Sequence, residues 1–324
     1  MPPTALFVLR RVAQLVPVVL MIAALNFVLL HLAPGDAADV LAGQAGHATP
    51  EFVEELRREF GLDRPLHARF FIFVGKVLAL DLGRSPIQQT TVAKLILERL
   101  PATLLLMLSA ILVATVLGVL LGVVAAVRHN KWADRLISVA ALVAYATPMF
   151  WLGLMLIVLF SVYLDVLPSG GMAKIGSGYT GAAYALDVLQ HLVLPAATLA
   201  LFYVAIYTRL TRSSILEVYR LDFIRTARAK GLPERSVARH ALRNALLPVV
   251  SLAGVQLGHL LGGSVLVETV FAWPGLGRLL FDALMQRDVN LLLGILFVSS
   301  VVVILVNLLV DLLYARLDPR IVYK

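Results

Sequence analysis

The stretch PATLLLMLSAILVATVLGVLLGVVAAV, residues 101–127, decides the fold class. Its 27 residues include no Asp, Glu, Lys or Arg. A helix rises about 1.5 Å per residue, so about 20 residues cross a hydrocarbon core of about 30 Å. Outward from this run lie five more uncharged runs, at 12–32, 136–164, 188–208, 244–267 and 289–310. Each is long enough to cross. The chain of 324 residues is 60% hydrophobic and 15% charged, whereas a soluble domain sits near one half and one quarter. In lipid a backbone must satisfy its own polar groups, which a helix does within one segment. The sequence therefore predicts an all-α integral membrane protein with six transmembrane helices. Arg10 and Arg11 ahead of the first run also suit a cleaved signal peptide, but the run 12–32 outlasts the apolar core of about 7–15 residues in such leaders.

The net charge of +8 invites a nucleic-acid reading, and its distribution answers it. With the N-terminus inside, the inner segments collect 17 basic residues: Arg10, Arg11, Arg128, Lys131, Arg135, nine from Arg209 to Arg243, and Arg316, Arg320 and Lys324. The two short outer loops hold only Lys174, Arg278 and Arg287. Basic residues concentrate on the cytoplasmic side of membrane proteins, so both termini are expected there (N-in, C-in), with membrane lipid rather than nucleic acid as partner. The absence of cysteine removes disulfides, thiolate metal sites and cysteine nucleophiles. Seven scattered histidines, without paired spacing or a carboxylate cluster, give no metal site to expect.

Residues 33–98 form an excursion on the outer side. A helix should start at Pro50, with Thr49 as cap, Glu51, Glu54 and Glu55 near its positive end, Phe52, Leu56 and Phe60 near one face, and Gly61 ending it. The apolar piece 66–80, interrupted by Arg69 and Lys76, is expected to lie on the membrane or on neighbouring spans. On the inner side, 209–247 contains a helical stretch SSILEVYRLDFIRTARAK (213–230), a corner at Gly231-Leu232-Pro233, and a second helix, ERSVARHALRNALL (234–247). Glycine suits the left-handed residue after a helix end, and proline the start of the next helix.

At this corner the sequence resembles a known family. RTARAKGL (225–232), with LLP at 246–248, resembles the coupling-loop motif of binding-protein-dependent ABC importer permeases. APGD (33–36), GLDRPL (61–66), DLGRS (81–85), ILERLPATL (96–104), LTRSSILEV (210–218), ETVFAWPGLGR (268–278) and NLLVDLLYARLDPRI (307–321) are similar to the first membrane subunit of the dipeptide, oligopeptide and nickel branch. They follow the family order over almost the whole chain. The family's loop begins Glu-Ala-Ala; here Arg225, Thr226 and Ala227 stand in those places. The gap to LLP is also longer than in sugar importers, so no residue role is carried over from those.

The resemblance implies a type I ABC importer transmembrane fold, one domain over 1–324, in a bacterial cytoplasmic (inner) membrane. It implies a second homologous permease subunit, two ATP-binding subunits that use ATP and Mg, and an extracytoplasmic solute-binding protein on the side of 33–98. This chain itself would bind no cofactor. It has no G-x-x-x-x-G-K-[ST] phosphate loop, which fits a non-catalytic subunit. The implied cargo is di- or oligopeptides, with nickel chelates or glutathione as alternatives.

The same resemblance assigns ATPase coupling to Asp222, Phe223, Ile224, Arg225, Thr226, Ala227, Arg228, Ala229, Lys230, Gly231 and Leu232. Phe223, Ile224 and Ala227 would form an apolar ridge, and Arg225, Arg228 and Lys230 would supply orienting charge. Arg235, Arg239 and Arg243 share one helical face and read as contacts to lipid headgroups ahead of docking. Gly254, Gly258 and Gly262 predict a close helix contact, with Gly118 and Gly122 a weaker copy. Polar residues inside spans default to function: Gln256 and His259 would line a passage, followed by Asn26 and Asn307. A packing hydrogen bond fits each equally well. Asp311 is expected to pair with an arginine such as Arg316, and Glu268 with the Trp273-Pro274-Gly275 turn to shape the outer mouth. An ion-coupled secondary transporter is the rival; the central parts of the runs lack the carboxylates it would need, and no half-to-half symmetry is visible.

Overall fold

The computed structural model describes residues 17–28, 49–59, 64–79 and 81–317. The described elements are α1 (Pro17–Val28), α2 (Pro50–Glu59), α3 (Leu66–Leu78), a ribbon of β1 (Arg84–Ser85) and β2 (Thr90–Thr91), α4 (Val92–Val127), α5 (Trp132–Ala146) and α6 (Met149–Ile157). A wider π-helical turn (Val158–Tyr163) prolongs α6. There follow α7 (Gly181–Val218), α8 (Asp222–Ala229), α9 (Glu234–Ala245), α10 (Leu247–Val270), α11 (Leu276–Met285) and α12 (Val289–Leu317).

Among the described residues three helices are long and apolar enough to cross a membrane: α4, α7, and α12 over Val289–Val310. A fourth candidate is α5 with α6, bent by 103°. The run 136–164, expected as one span, is thus broken. Pro148 has no N–H to donate and disfavours helical dihedrals in the residue before it; Thr147 accordingly sits extended at φ −77, ψ 127. Pro101 and Pro195, by contrast, lie inside α4 and α7 without ending them.

Contacts divide the chain into two units, Met1–Arg99 with Leu279–Lys324, and Leu100–Arg278. In the first, Ala23 and Phe297 are buried with Ile22, Phe73, Val74, Val298 and Val301 against them, and Phe27 meets Phe70 edge-on at 5.3 Å. The stretch DLGRS makes a tight turn. Gly83 takes φ +77, and its N–H donates to Asp81 Oδ1 at 3.1 Å. The strands pair antiparallel, Arg84 opposite Thr91 and Ser85 opposite Thr90; four strand residues were too few to read from the sequence. The buried Ser85 hydroxyl donates to the carboxylate of buried Asp288. Asp288 also caps α12 by accepting the Leu291 N–H at 3.1 Å.

In the second unit α7 is more enclosed than α4: 61% of its most apolar stretch is buried, against 28%. Three clusters follow one another along it. Leu106, Leu199, Phe271 and Trp273 belong to the first, Met107, Ala114, Tyr203 and Tyr207 to the second, and Ile215, Ile224, Val237 and Ala241 to the third. The backbones of α4 and α7 touch at glycine. A Cβ at Gly122 would lie 2.5 Å from Thr211 Cβ, and one at Gly118 would overlap Tyr207 Cβ. The glycine pair expected to be the weaker contact is therefore a tight one.

Candidate functional site

The helix expected over 213–230 is interrupted. It ends at Val218, and the Arg220 and Leu221 N–H groups donate to Glu217 O and Val218 O at 3.0 and 3.1 Å. Leu221 is extended at ψ 148, and α8 starts at Asp222, whose negative charge suits a helix N-terminus. The break turns Ile224 back onto Ile215, Val218, Val237, Ala241 and Ala245, where it is 0% exposed.

At the other end of α8, Gly231 takes φ +76, a conformation that costs a residue with a Cβ. Its N–H donates to Arg228 O at 2.9 Å, and the Leu232 N–H donates to Ala227 O at 3.3 Å. These are the two bonds of a helix closed by a left-handed residue. Pro233 then caps α9, its carbonyl accepting the Ser236 N–H at 2.8 Å. Across the corner Arg228 Nε and Nη2 donate to Glu234 Oε1 and Oε2 at 2.8 and 3.3 Å. The Arg228 guanidinium also lies 5.6 Å from the Tyr219 ring centroid. The corner is thus a closed elbow rather than a loop.

Of the residues expected to couple, Asp222, Phe223, Arg225, Thr226, Arg228, Ala229, Lys230, Gly231 and Leu232 are exposed, Ala227 is half-buried and Ile224 is buried. The outward apolar groups are Phe223 (41% exposed), Leu232 (40%) and Leu221 (47%). Ile224, expected on the ridge, serves the core instead. Leu221 was missed because the turn that exposes it is not written in local propensity.

The C-terminal part of α7 is pinned to the start of α5. Arg212 Nε and Nη2 donate to Asp134 Oδ1 and Oδ2 at 2.6 and 2.8 Å, and the Asn130 N–H donates to Oδ2 at 2.9 Å. Asp134 is 3% exposed and precedes the uncharged run that begins at Leu136. The Arg212 guanidinium is the partner that lets this carboxylate be buried. This pairing accounts for the arginine of LTRSSILEV.

A second constellation closes the end of α10. Glu268 is 0% exposed. Its Oε1 accepts the Thr103 hydroxyl at 2.8 Å and its Oε2 the Arg278 N–H at 2.9 Å; the Gly277 N–H and Ser264 hydroxyl also donate to it. Thr103 Oγ1 in turn accepts the Leu276 N–H at 2.7 Å. The first three N–H groups of α11 thus end on two side chains from other helices, a carboxylate among them, as a helix N-terminus favours. A Cβ at Gly275 would collide with the Glu268 carboxylate, and one at Gly277 would lie 2.6 Å from Val265 Cα. The Trp273 indole donates to Ala102 O at 2.9 Å. ILERLPATL and ETVFAWPGLGR are therefore two halves of one lock, which their spacing in sequence could not reveal.

Of the expected pathway residues, Asn26 and Asn307 belong to the first unit and Gln256 to the second. Asn26 Nδ2 donates to Leu293 O at 3.4 Å within the first unit, a packing bond. Gln256 is half-buried, Asn307 exposed and Gly254 buried. Gly258, His259, Gly262, Asp311 and Arg316 lie outside the residues whose surroundings are described.

Comparison with known proteins adds the following. Residues 118–323 match the family described as binding-protein-dependent transport system inner membrane component, and residues 5–107 match its N-terminal companion. A protein of Brucella abortus (strain 2308) carrying the name of a peptide transport system permease is 42% identical over 317 residues, 98% of each chain. Glutathione transport system permease protein GsiC of Salmonella typhimurium is 40% identical over 319 residues, 98% of this chain and 99% of that one. The methionine ABC transporter MetNI in an inward-facing conformation aligns with TM-score 0.57 at 19% identity, over 70% of this chain and 97% of that one. An amino acid ABC transporter aligns with TM-score 0.54 at 17% identity, over 69% and 94%. At these identities the two structures speak to the fold alone.

Proposed function

We propose, from the premise that this chain belongs to the binding-protein-dependent transport system inner membrane components, that it forms half of the passage through which an importer takes up short peptides. It is a permease subunit of an ABC importer in the inner membrane. Peptides are the reading favoured by the relative named for peptide transport at 42% identity. Glutathione is the second reading, supported by GsiC at 40%. In this proposal the chain crosses six times with both termini cytoplasmic, the bent pair α5–α6 counting as one crossing. Its partners are a second permease, two ATP-binding subunits and an external binding protein.

The elbow carries the coupling part of the proposal. Its backbone is closed at Gly231, its corner is bridged by Arg228 and Glu234, and Leu221, Phe223 and Leu232 stand exposed among charges. Exposed apolar side chains rimmed by polar ones mark protein contacts. Docked in a groove of an ATP-binding subunit, such a rigid lever would pass on the closure of two subunits around ATP. That closure supplies the difference in binding that a two-state switch needs. The test is Phe223→Asp and, separately, Gly231→Pro, with the complex purified through the permease. The expected result is at least tenfold less co-purified ATP-binding subunit, with unchanged membrane insertion. Full pairing and uptake in both variants would remove the elbow from the coupling role.

A further inference from the structure

Helix α9 has a face that the coupling elbow does not use. Val237, Ala241 and Ala245 are buried, and Val249 continues that row into α10. On another side Arg235, Arg239 and Arg243 are exposed, each four residues on. At the join, Leu246 keeps αR dihedrals. The exposed row then runs on through Leu247 (48% exposed), Ser251 and Val255 (55%). One outward stripe thus changes from guanidinium to mainly hydrocarbon between Arg243 and Leu247. Among the described residues none of the three arginines is in an ion pair. The neighbouring acids Glu234 and Asp222 are taken by Arg228 at 2.8 Å and Arg225 at 3.3 Å.

We propose that this stripe is a binding surface for anionic lipid headgroups of the cytoplasmic leaflet. Arg235, Arg239 and Arg243 meet the phosphates, and Leu247 and Val255 meet the acyl chains. A guanidinium fork matches phosphate oxygens, and basic residues beside a span are attracted to anionic lipid. The abrupt change of chemistry along one row is the pattern of a headgroup boundary. A protein groove would need apolar side chains interleaved with the charge, as at Phe223 and Leu232, and the arginine row has none. The inference rests on the cytoplasmic placement of the elbow.

The whole complex, with its ATP-binding subunits, is placed in nanodiscs of equal phosphatidylglycerol and phosphatidylcholine, then extracted. The two lipids retained per complex are measured by mass spectrometry. Wild type is expected to retain phosphatidylglycerol in excess, and each of Arg235→Gln, Arg239→Gln and Arg243→Gln to lower that preference, roughly fivefold per arginine removed. The ATP-binding subunits should stay bound. The single variants suffice if the triple variant does not assemble. Unchanged enrichment in all three overturns the proposal. So does loss of the ATP-binding subunits with lipid retention intact, which would give the stripe to the ATPase. Phe223→Asp in the same preparation separates the readings: a failure of docking at the elbow leaves lipid retention as it was.

Discussion

Glu268 shows how much one side chain can organise in this protein. It serves donors from α4, α10 and the first turn of α11, and the Arg278 guanidinium beside it is directed to Ala272 O at 2.7 Å instead. Removing its carboxylate by Glu268→Ala would orphan the Thr103 hydroxyl and the Arg278 N–H, each at a cost of about 1–3 kcal/mol. Glu268→Gln keeps one acceptor oxygen and should cost clearly less. Thermal unfolding of the detergent-purified protein should rank the stabilities wild type, Gln, Ala. Equal melting of all three would show that the lock does not hold the turn. The sequence reading placed Glu268 at the outer mouth and gave it no partner. The partner, Thr103, is 165 residues away, and no periodicity links positions that distant. Gly231 is the opposite case: a helix end followed by a left-handed residue is encoded within a few residues, so it could be read directly.

At the level of elements, legibility followed the range of the forces involved. The uncharged runs 101–127, 188–208 and 289–310, which fall in long apolar helices, were readable because lipid excludes charge all along a segment. The break at Thr147-Pro148 was not, because a hydropathy criterion sees composition and is blind to the missing N–H of Pro148. The end of α7 at Val218 was not readable either, since SSILEVYRLDFIRTARAK is helix-compatible throughout. What breaks it is tertiary: burying Ile224 with Val237 and Ala241. The contact of α4 with α7 yields a prediction at this scale. Gly122→Val would drive a side chain into Thr211 and the Thr208 carbonyl, and overpacking of this kind costs about 1–3 kcal/mol. Ala126→Val, one turn on and also buried, adds two carbons rather than three, among the side chains of the third cluster. Yield of folded protein in size-exclusion chromatography should fall more for Gly122→Val. The reverse order would show that Gly122 does not limit the approach of α4 to α7.

For the molecule as a whole, the proposed topology divides the charge between two sides of the membrane. Seventeen basic residues fall on the side of the elbow under the proposed topology, and the chain has no phosphate loop of its own. Under the proposed function, solute moves only when an ATP-binding subunit supplies the work through the elbow. The most direct measurement is uptake of a labelled peptide into proteoliposomes holding the full complex, with the binding protein outside and ATP inside. Accumulation should require internal ATP and vanish when the ATP-binding subunits are left out. Accumulation by the permease alone, driven by an imposed proton or sodium gradient without ATP, would contradict the account.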